Sequence, residues 1–177
     1  MRQTGGSVSP MSNEGRNAYV IEHLTDACLL LLRDKMLDDI SISELCKSAC
    51  VGRASFYRNF ENKEDIIKTY VNRLFSEWIS EYEKSDDKPI DELILLLFSH
   101  FEKHRDFYSL MNERGLTYLL KDVIVKISGL KQGMPKIEAY SKAFFAYSLY
   151  GWTEIWFQRG MEESAEEMAG LFKMQTI

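Results

Sequence analysis

Apolar residues along this chain recur at intervals of three and four, the spacing of one face of an α-helix, and no run alternates as a half-buried strand would. Asn17 to Arg33 carries Ile21, Leu24, Cys28, Leu31 and Leu32 on one face, which predicts an amphipathic first helix. From Ser41 to Ile67 the pattern breaks into two short helices, a tight turn at Cys50-Val51-Gly52, and the start of a long fourth helix. Ser41 and Glu44 have capping-box spacing, with Ile40 and Leu45 placed to clasp across the cap. Asn62 caps the fourth helix, which runs to about Glu83 with an apolar stripe of Ile67, Tyr70, Val71, Leu74, Phe75, Trp78 and Tyr82. Pro89 suits the first position of a fifth helix carrying Leu93, Ile94, Leu97, Phe98 and Phe101. A short helix to about Asn112, a seventh from Leu116 to Ile127, a long eighth from Pro135 to about Gln158 and a last one capped by Ser164 and Glu167 complete the prediction. The expected fold is all-α with about nine helices: a polar leader over 1–16, a three-helix head over 17–67 and a helical body over 68–177.

The two short helices and their turn have helix-turn-helix spacing, in which the second helix enters a DNA major groove. Arg53 and Arg58 are suited to donate to guanine edges or phosphates, and Ser55 to reach a base or phosphate. Phe56 is either an anchor of the head's core or a groove-facing residue; Phe60 is read as core. Between Cys46 and Lys63 the charges are Lys47, Arg53, Arg58 and Lys63 against Glu61 alone, a basic patch on a chain of net charge −5. That balance argues against general nucleic-acid coating but suits a local DNA-reading surface.

At these residues the chain resembles the TetR family of bacterial transcriptional regulators. Ile42, Glu44, Leu45, Ala49, Val51, Phe56, Tyr57, Phe60, Asn62, Lys63, Glu64 and Ile66 stand where that family's head motif places its apolar, acidic, aromatic and lysine positions. The likeness covers about 50 residues, Ala18 to Ile67, and a looser one runs from Tyr147 to Leu171. Cys46 replaces a common Ala, Gly52 a Ser or Thr, and Asn59 an aromatic. Cys50 replaces the turn Gly, and a Cys disfavours the positive φ such a turn needs, so Gly52 is expected to take over that role or the turn to differ slightly. The resemblance implies a dimeric DNA-binding repressor released by a small-molecule effector, with Tyr57, Ser43 and Lys63 at phosphate-touching positions. The candidate DNA-facing set is Ser41, Ser43, Gly52, Arg53, Ser55, Phe56, Tyr57, Arg58 and Lys63.

The body offers candidates for the other two roles. Its aromatic, Met and His positions Trp78, Tyr82, Phe101, His104, Tyr108, Met111, Tyr118, Tyr140, Phe144 and Tyr147 are candidates to line an effector pocket, though residues at helical spacing also build cores. The eighth helix has two apolar faces, so it is buried on two sides. One face, with Ile137, Tyr140, Phe144, Tyr147, Gly151 and Ile155, is expected to close the body. The other, with Phe145, Leu149, Trp152 and Trp156, is expected to meet a second copy, joined by Met168, Leu171 and Phe172 of the last helix.

Hydrophobic content of 45% and aromatic content of 12% allow a substantial core. No apolar run is long enough for a membrane span, and the leader lacks the apolar core of a signal peptide. Three cysteines, an odd number, suit packing in a reducing cytoplasm. Cys46 and Cys50 at i, i+4 invite a metal or redox reading, as do His100 and His104 for a metal, but neither pair has a further ligand to complete a site. No nucleophile elbow, phosphate loop or zinc-protease motif occurs, so no enzyme and no cofactor is expected. The alternative to a DNA-binding regulator is a helical adaptor working through protein contacts, favoured by Cys50 and the acidic flank of Asp38, Asp39 and Glu44.

Overall fold

A computed structural model describes residues 13–82 and 90–175. Among these the only regular structure is helical: α1 (Asn13–Leu32), α2 (Ile42–Ser48), α3 (Arg53–Asn59), α4 (Glu64–Tyr82), α5 (Ile90–Lys103), α6 (Arg105–Glu113), a 3-10 turn (Thr117–Leu120), α7 (Lys121–Ile127), α8 (Lys136–Gln158) and α9 (Ala165–Gln175). The chain divides into two compact units, one ending at Ile66 and the other beginning at Ile67. Among the described residues no helix is long and apolar enough to cross a membrane.

In the first unit α1, α2 and α3 pack around one core. Leu24, Ala27, Cys28 and Leu32 from α1 meet Leu45, Cys46 and Ala49 from α2 and its cap, Phe56 and Phe60 from α3 and its end, and Ile66. The first helix begins at Asn13, so 13–16, expected to be leader, are helical. Extending a formed helix adds one hydrogen bond per residue fixed, which lets a polar stretch without apolar periodicity continue it. Asn62 caps α4: its side-chain oxygen accepts from Asp65 N at 3.1 Å while Asp65 Oδ2 accepts from Asn62 N at 3.2 Å. Asp65 thus completes a reciprocal box that the sequence reading credits to Asn62 alone.

In the second unit α5 lies along α9, and α6 and α7 pack on α8. The centre is aromatic: Phe101 meets Tyr108 and Phe157 at ring-centroid distances of 4.9 and 5.3 Å, and Phe98 meets Trp156 at 5.3 Å, all edge to face. The predicted seventh helix is a 3-10 turn running into a shorter α7. Pro135 caps α8 in an extended conformation instead of occupying its first turn. Both bonds of the Ser164–Glu167 capping box are made, Glu167 N to Ser164 Oγ at 3.2 Å and Ser164 N to Glu167 Oε2 at 2.8 Å. Pro89 and the break before it lie outside the described residues, as does the side chain of Tyr82.

The two faces of α8 are exchanged relative to expectation. Leu149 and Trp156, assigned to a partner, are buried within the subunit beside Ala146, Thr153 and Phe157. Ile137, Tyr140, Phe144 and Tyr147, assigned to the interior, are solvent-exposed, at 83, 69, 69 and 50%. Periodicity identifies two apolar stripes but not which one faces inward. The small or polar Ala146 and Thr153 complete the buried stripe and conceal it from a hydrophobicity pattern.

Candidate nucleic-acid interface

The interface is built on α2, its turn and α3. Ser41 caps α2, its Oγ accepting from Glu44 N at 3.1 Å. The return bond of the expected box gives way to an ion pair: Glu44 Oε1 takes Lys35 Nζ at 2.5 Å, and this hydrogen bond draws the Glu44 carboxyl below its ordinary pKa. At the far end of α2, Val51 N donates to Cys46 O at 3.0 Å and Cys50 N to Lys47 O at 3.2 Å. These two bonds define a Schellman ending, which needs a left-handed residue between helix and exit. Cys50 supplies it with φ 54°. The same bond pair closes α6 at Gly115 and α8 at Gly160, where glycine bears the positive φ. Gly52 does not take the strain: with φ −76° and ψ 148° it caps α3, its carbonyl accepting from Ser55 N at 2.9 Å.

Seven residues of α3 leave it two clear sides. Phe56 is fully buried and Phe60, just beyond, nearly so, which removes Phe56 from the DNA-facing set. Arg53, Ala54, Tyr57 and Arg58, at spacings of one, four and five, are exposed together on the other side. Tyr57 is 54% exposed, its ring held edge-on against Phe56 at 5.2 Å. Ser55 is half-buried, and its carbonyl accepts from Asn59 Nδ2 at 2.8 Å. Ser41, Ser43, Lys47 and Gly52 are exposed as well. Ala54, not singled out by sequence, adds a methyl to the same surface; its spacing to Tyr57 and Arg58 was the available signal. A patch of two guanidiniums, a phenol, hydroxyls and a methyl has the donors that phosphates and guanines accept and the apolar contact that thymine offers.

Lys63 is held by the loop before α2. Its Nζ donates to the carbonyls of Leu37, Ile40 and Asp38 at 2.5, 2.7 and 3.1 Å, engaging all three ammonium hydrogens in the loop between α1 and α2. Cys28 and Cys46 are packing groups: burial pushes the Cys28 thiol up to about 12 and raises that of Cys46, against the pull of Lys63 and Arg53 respectively. Among the described residues no group of three His, Cys, Asp or Glu side chains is placed to hold a metal ion.

The body residues proposed from sequence for an effector pocket do not converge. Phe101, Tyr108 and Met111 are core, whereas Tyr118, Tyr140, Phe144 and Tyr147 are exposed. Trp78 and His104 do share a cavity of about 130 Å3 with Leu74, Glu77, Leu96, Ser99, His100 and Lys103. There His100 Nε2 lies 2.9 Å from Tyr108 Oη, and burial, followed by His104 and Lys103, pushes its pKa down to about 3. Of the residues proposed for the dimer, Trp152, Trp156, Met168 and Leu171 line an open apolar groove of about 500 Å3 with Gly151, Ile155, Arg159 and Glu163. Phe145 and Phe172 meet each other inside the subunit at 6.0 Å.

This arrangement of helices is the fold of TetR-type transcriptional regulators. The Listeria innocua protein Lin0861 superposes with a TM-score of 0.75 at 18% identity, covering 95% of this chain and 94% of that one. A TetR transcriptional regulator from Streptococcus agalactiae superposes at 0.64 with 17% identity, covering 92% and 96%. The fatty acid degradation regulator FadR of Bacillus halodurans does so at 0.53 with 13% identity, covering 85% and 90%. In sequence, an uncharacterized HTH-type transcriptional regulator of Haemophilus influenzae is 26% identical over 113 residues, 63% of this chain. The chain spans about half of that relative's length, 52%. No family model matches the sequence.

Proposed function

We propose that the chain is a DNA-binding transcriptional regulator that inserts α3 into the major groove. The observation that carries this reading is the division of α3 and its cap: Phe56 and Phe60 are sunk in the core while Arg53, Ala54, Tyr57 and Arg58 are exposed on the other side, with Lys47 and Ser43 of α2 exposed as well. Arg53 and Arg58 read guanine edges or grip phosphates, Tyr57 gives its hydroxyl to a phosphate, and Ser41 and Ser43 approach the backbone from the start of α2. One such surface makes few phosphate contacts, so two copies bind together, about 34 Å apart on successive major grooves. The pairing surface is the exposed stripe of α8, Ile137, Tyr140, Phe144, Tyr147 and Ile155, continued by Leu171 and Met174 of α9. In this reading the regulator is a repressor, and its effector is a small polar molecule entering beside Trp78, His104, Glu77 and Lys103. Fluorescence anisotropy on DNA fragments selected from a random library, at about 100 mM salt, tests the proposal. Arg53→Ala and Tyr57→Phe each weaken binding with an unchanged circular dichroism spectrum; unchanged affinity in both removes α3 from the interface.

A further inference from the structure

We propose that Lys63 is a positioning residue, a clasp that fixes the start of α2 from beneath instead of a contact to the DNA backbone. The inference rests on the DNA-binding reading for its effect on affinity and on geometry for the clasp itself. Leu37, Asp38 and Ile40 lie in the loop between α1 and α2, and Ile40 is the residue before the cap Ser41. Their three carbonyls converge on one ammonium. The partners are acceptors only, and an ammonium carries three donors and no acceptor, so the group is saturated where it stands. Ser41 and Ser43 sit one and three residues past the clasped loop and are exposed, so their register against a phosphate follows from where the loop is held.

The two roles differ in salt behaviour. A phosphate contact releases a counterion, and its loss lowers the slope of log affinity against log salt by about one. Loss of a clasp lowers affinity at every salt concentration by the same factor. The test uses the full chain, selected operator DNA, a salt series and hydrogen exchange. Lys63→Met keeps the aliphatic stem and removes the ammonium; it is expected to weaken binding about tenfold with an unaltered salt slope, and to speed exchange of the Glu44 and Leu45 amides. Lys63→Arg keeps the charge but replaces converging donors by a planar fork, and is expected to fail to restore affinity. A slope reduced by one in Lys63→Met, with native exchange rates and rescue by Arg, overturns the clasp. If the wild-type chain binds no DNA, the DNA-binding reading fails by itself, and the exchange rates still decide the clasp: accelerated in Lys63→Met if it stands, native if it does not.

Discussion

Replacing Cys50 by glycine should stabilise this protein, an outcome that follows from one backbone angle. Cys50 carries the left-handed φ of 54° that ends α2. An L-residue with a Cβ incurs roughly 1–2 kcal/mol in that conformation, from the approach of Cβ to the following carbonyl. Glycine removes this penalty but returns about 0.5–1 kcal/mol through the greater freedom of the unfolded chain. Cys50 is exposed and unpaired with any other cysteine, so no core contact or disulfide is lost. The balance is a gain of about 0.5–1 kcal/mol, or a rise in Tm of about 1–4 °C for a chain of this size. Gly52→Ala is the companion measurement. Gly52 lies at φ −76°, and an added Cβ meets nothing within 4 Å. The modest loss of a cap residue and the gain from restricting the unfolded chain offset each other, leaving stability within about 0.5 kcal/mol. Calorimetric scans of the three proteins decide the matter. If Cys50→Gly is neutral or lower in Tm while Gly52→Ala falls by several degrees, the positive φ belongs to Gly52 and the turn described above is wrong.

Other outcomes follow from the same packing. Phe56→Ala should cost about 3–5 kcal/mol in chemical denaturation, since it empties the centre of the first unit; a cost under about 1 kcal/mol would return Phe56 to the surface. Tyr140→Glu with Phe144→Glu should give folded monomers in sedimentation, because both side chains are exposed on α8, whereas a charge at fully buried Trp156 should unfold the subunit; a double variant that stays dimeric moves the interface elsewhere. His100 has a folded-state pKa near 3 against an ordinary 6.5, so below pH 6.5 the unfolded chain takes up a proton that the folded chain does not. Stability attributable to His100 should therefore fall by about 2 kcal/mol between pH 7 and pH 5 and continue to fall toward pH 3. His100→Gln should lack that part of the slope, and identical slopes in the two proteins would refute the assignment.

Much of the head was legible because its signals are local. Caps at Ser41, Asn62 and Ser164 each appear as a side-chain oxygen three residues from the amide it accepts, which sequence spacing records directly. The exposed guanidiniums of α3 follow from the same periodicity that sinks Phe56 and Phe60. What escaped depends on contacts distant in sequence. Lys63 reaches carbonyls 23 to 26 residues earlier, and nothing near it in the chain announces that. Glu44 left its capping box for Lys35, nine residues away. The inward face of α8 does not follow from its apolar pattern, because Ala146 and Thr153, small and polar, are buried while Tyr140 and Phe144 are not. Hydrophobicity ranks side chains by transfer from water, but the neighbouring helices decide which stripe is covered. The effector candidates failed to converge for the same reason: Tyr108, a candidate to line the pocket, is buried and hydrogen-bonded to His100, a residue whose i, i+4 spacing with His104 suits either a metal pair or the body's interior or rim.

The central claim is that the exposed side of α3 reads DNA as part of a two-fold pair. It is tested most directly by selecting binding sites from random duplexes with the full chain and measuring anisotropy on the enriched sequence, at about 100 mM salt, for wild type and Arg58→Ala. The account predicts an enriched inverted repeat. It also predicts a loss of about 1–3 kcal/mol for Arg58→Ala, confined to discrimination at one position in each half-site. Enrichment of no sequence, or an enriched site that Arg58→Ala, Arg53→Ala and Tyr57→Phe all bind as tightly as wild type, would contradict it.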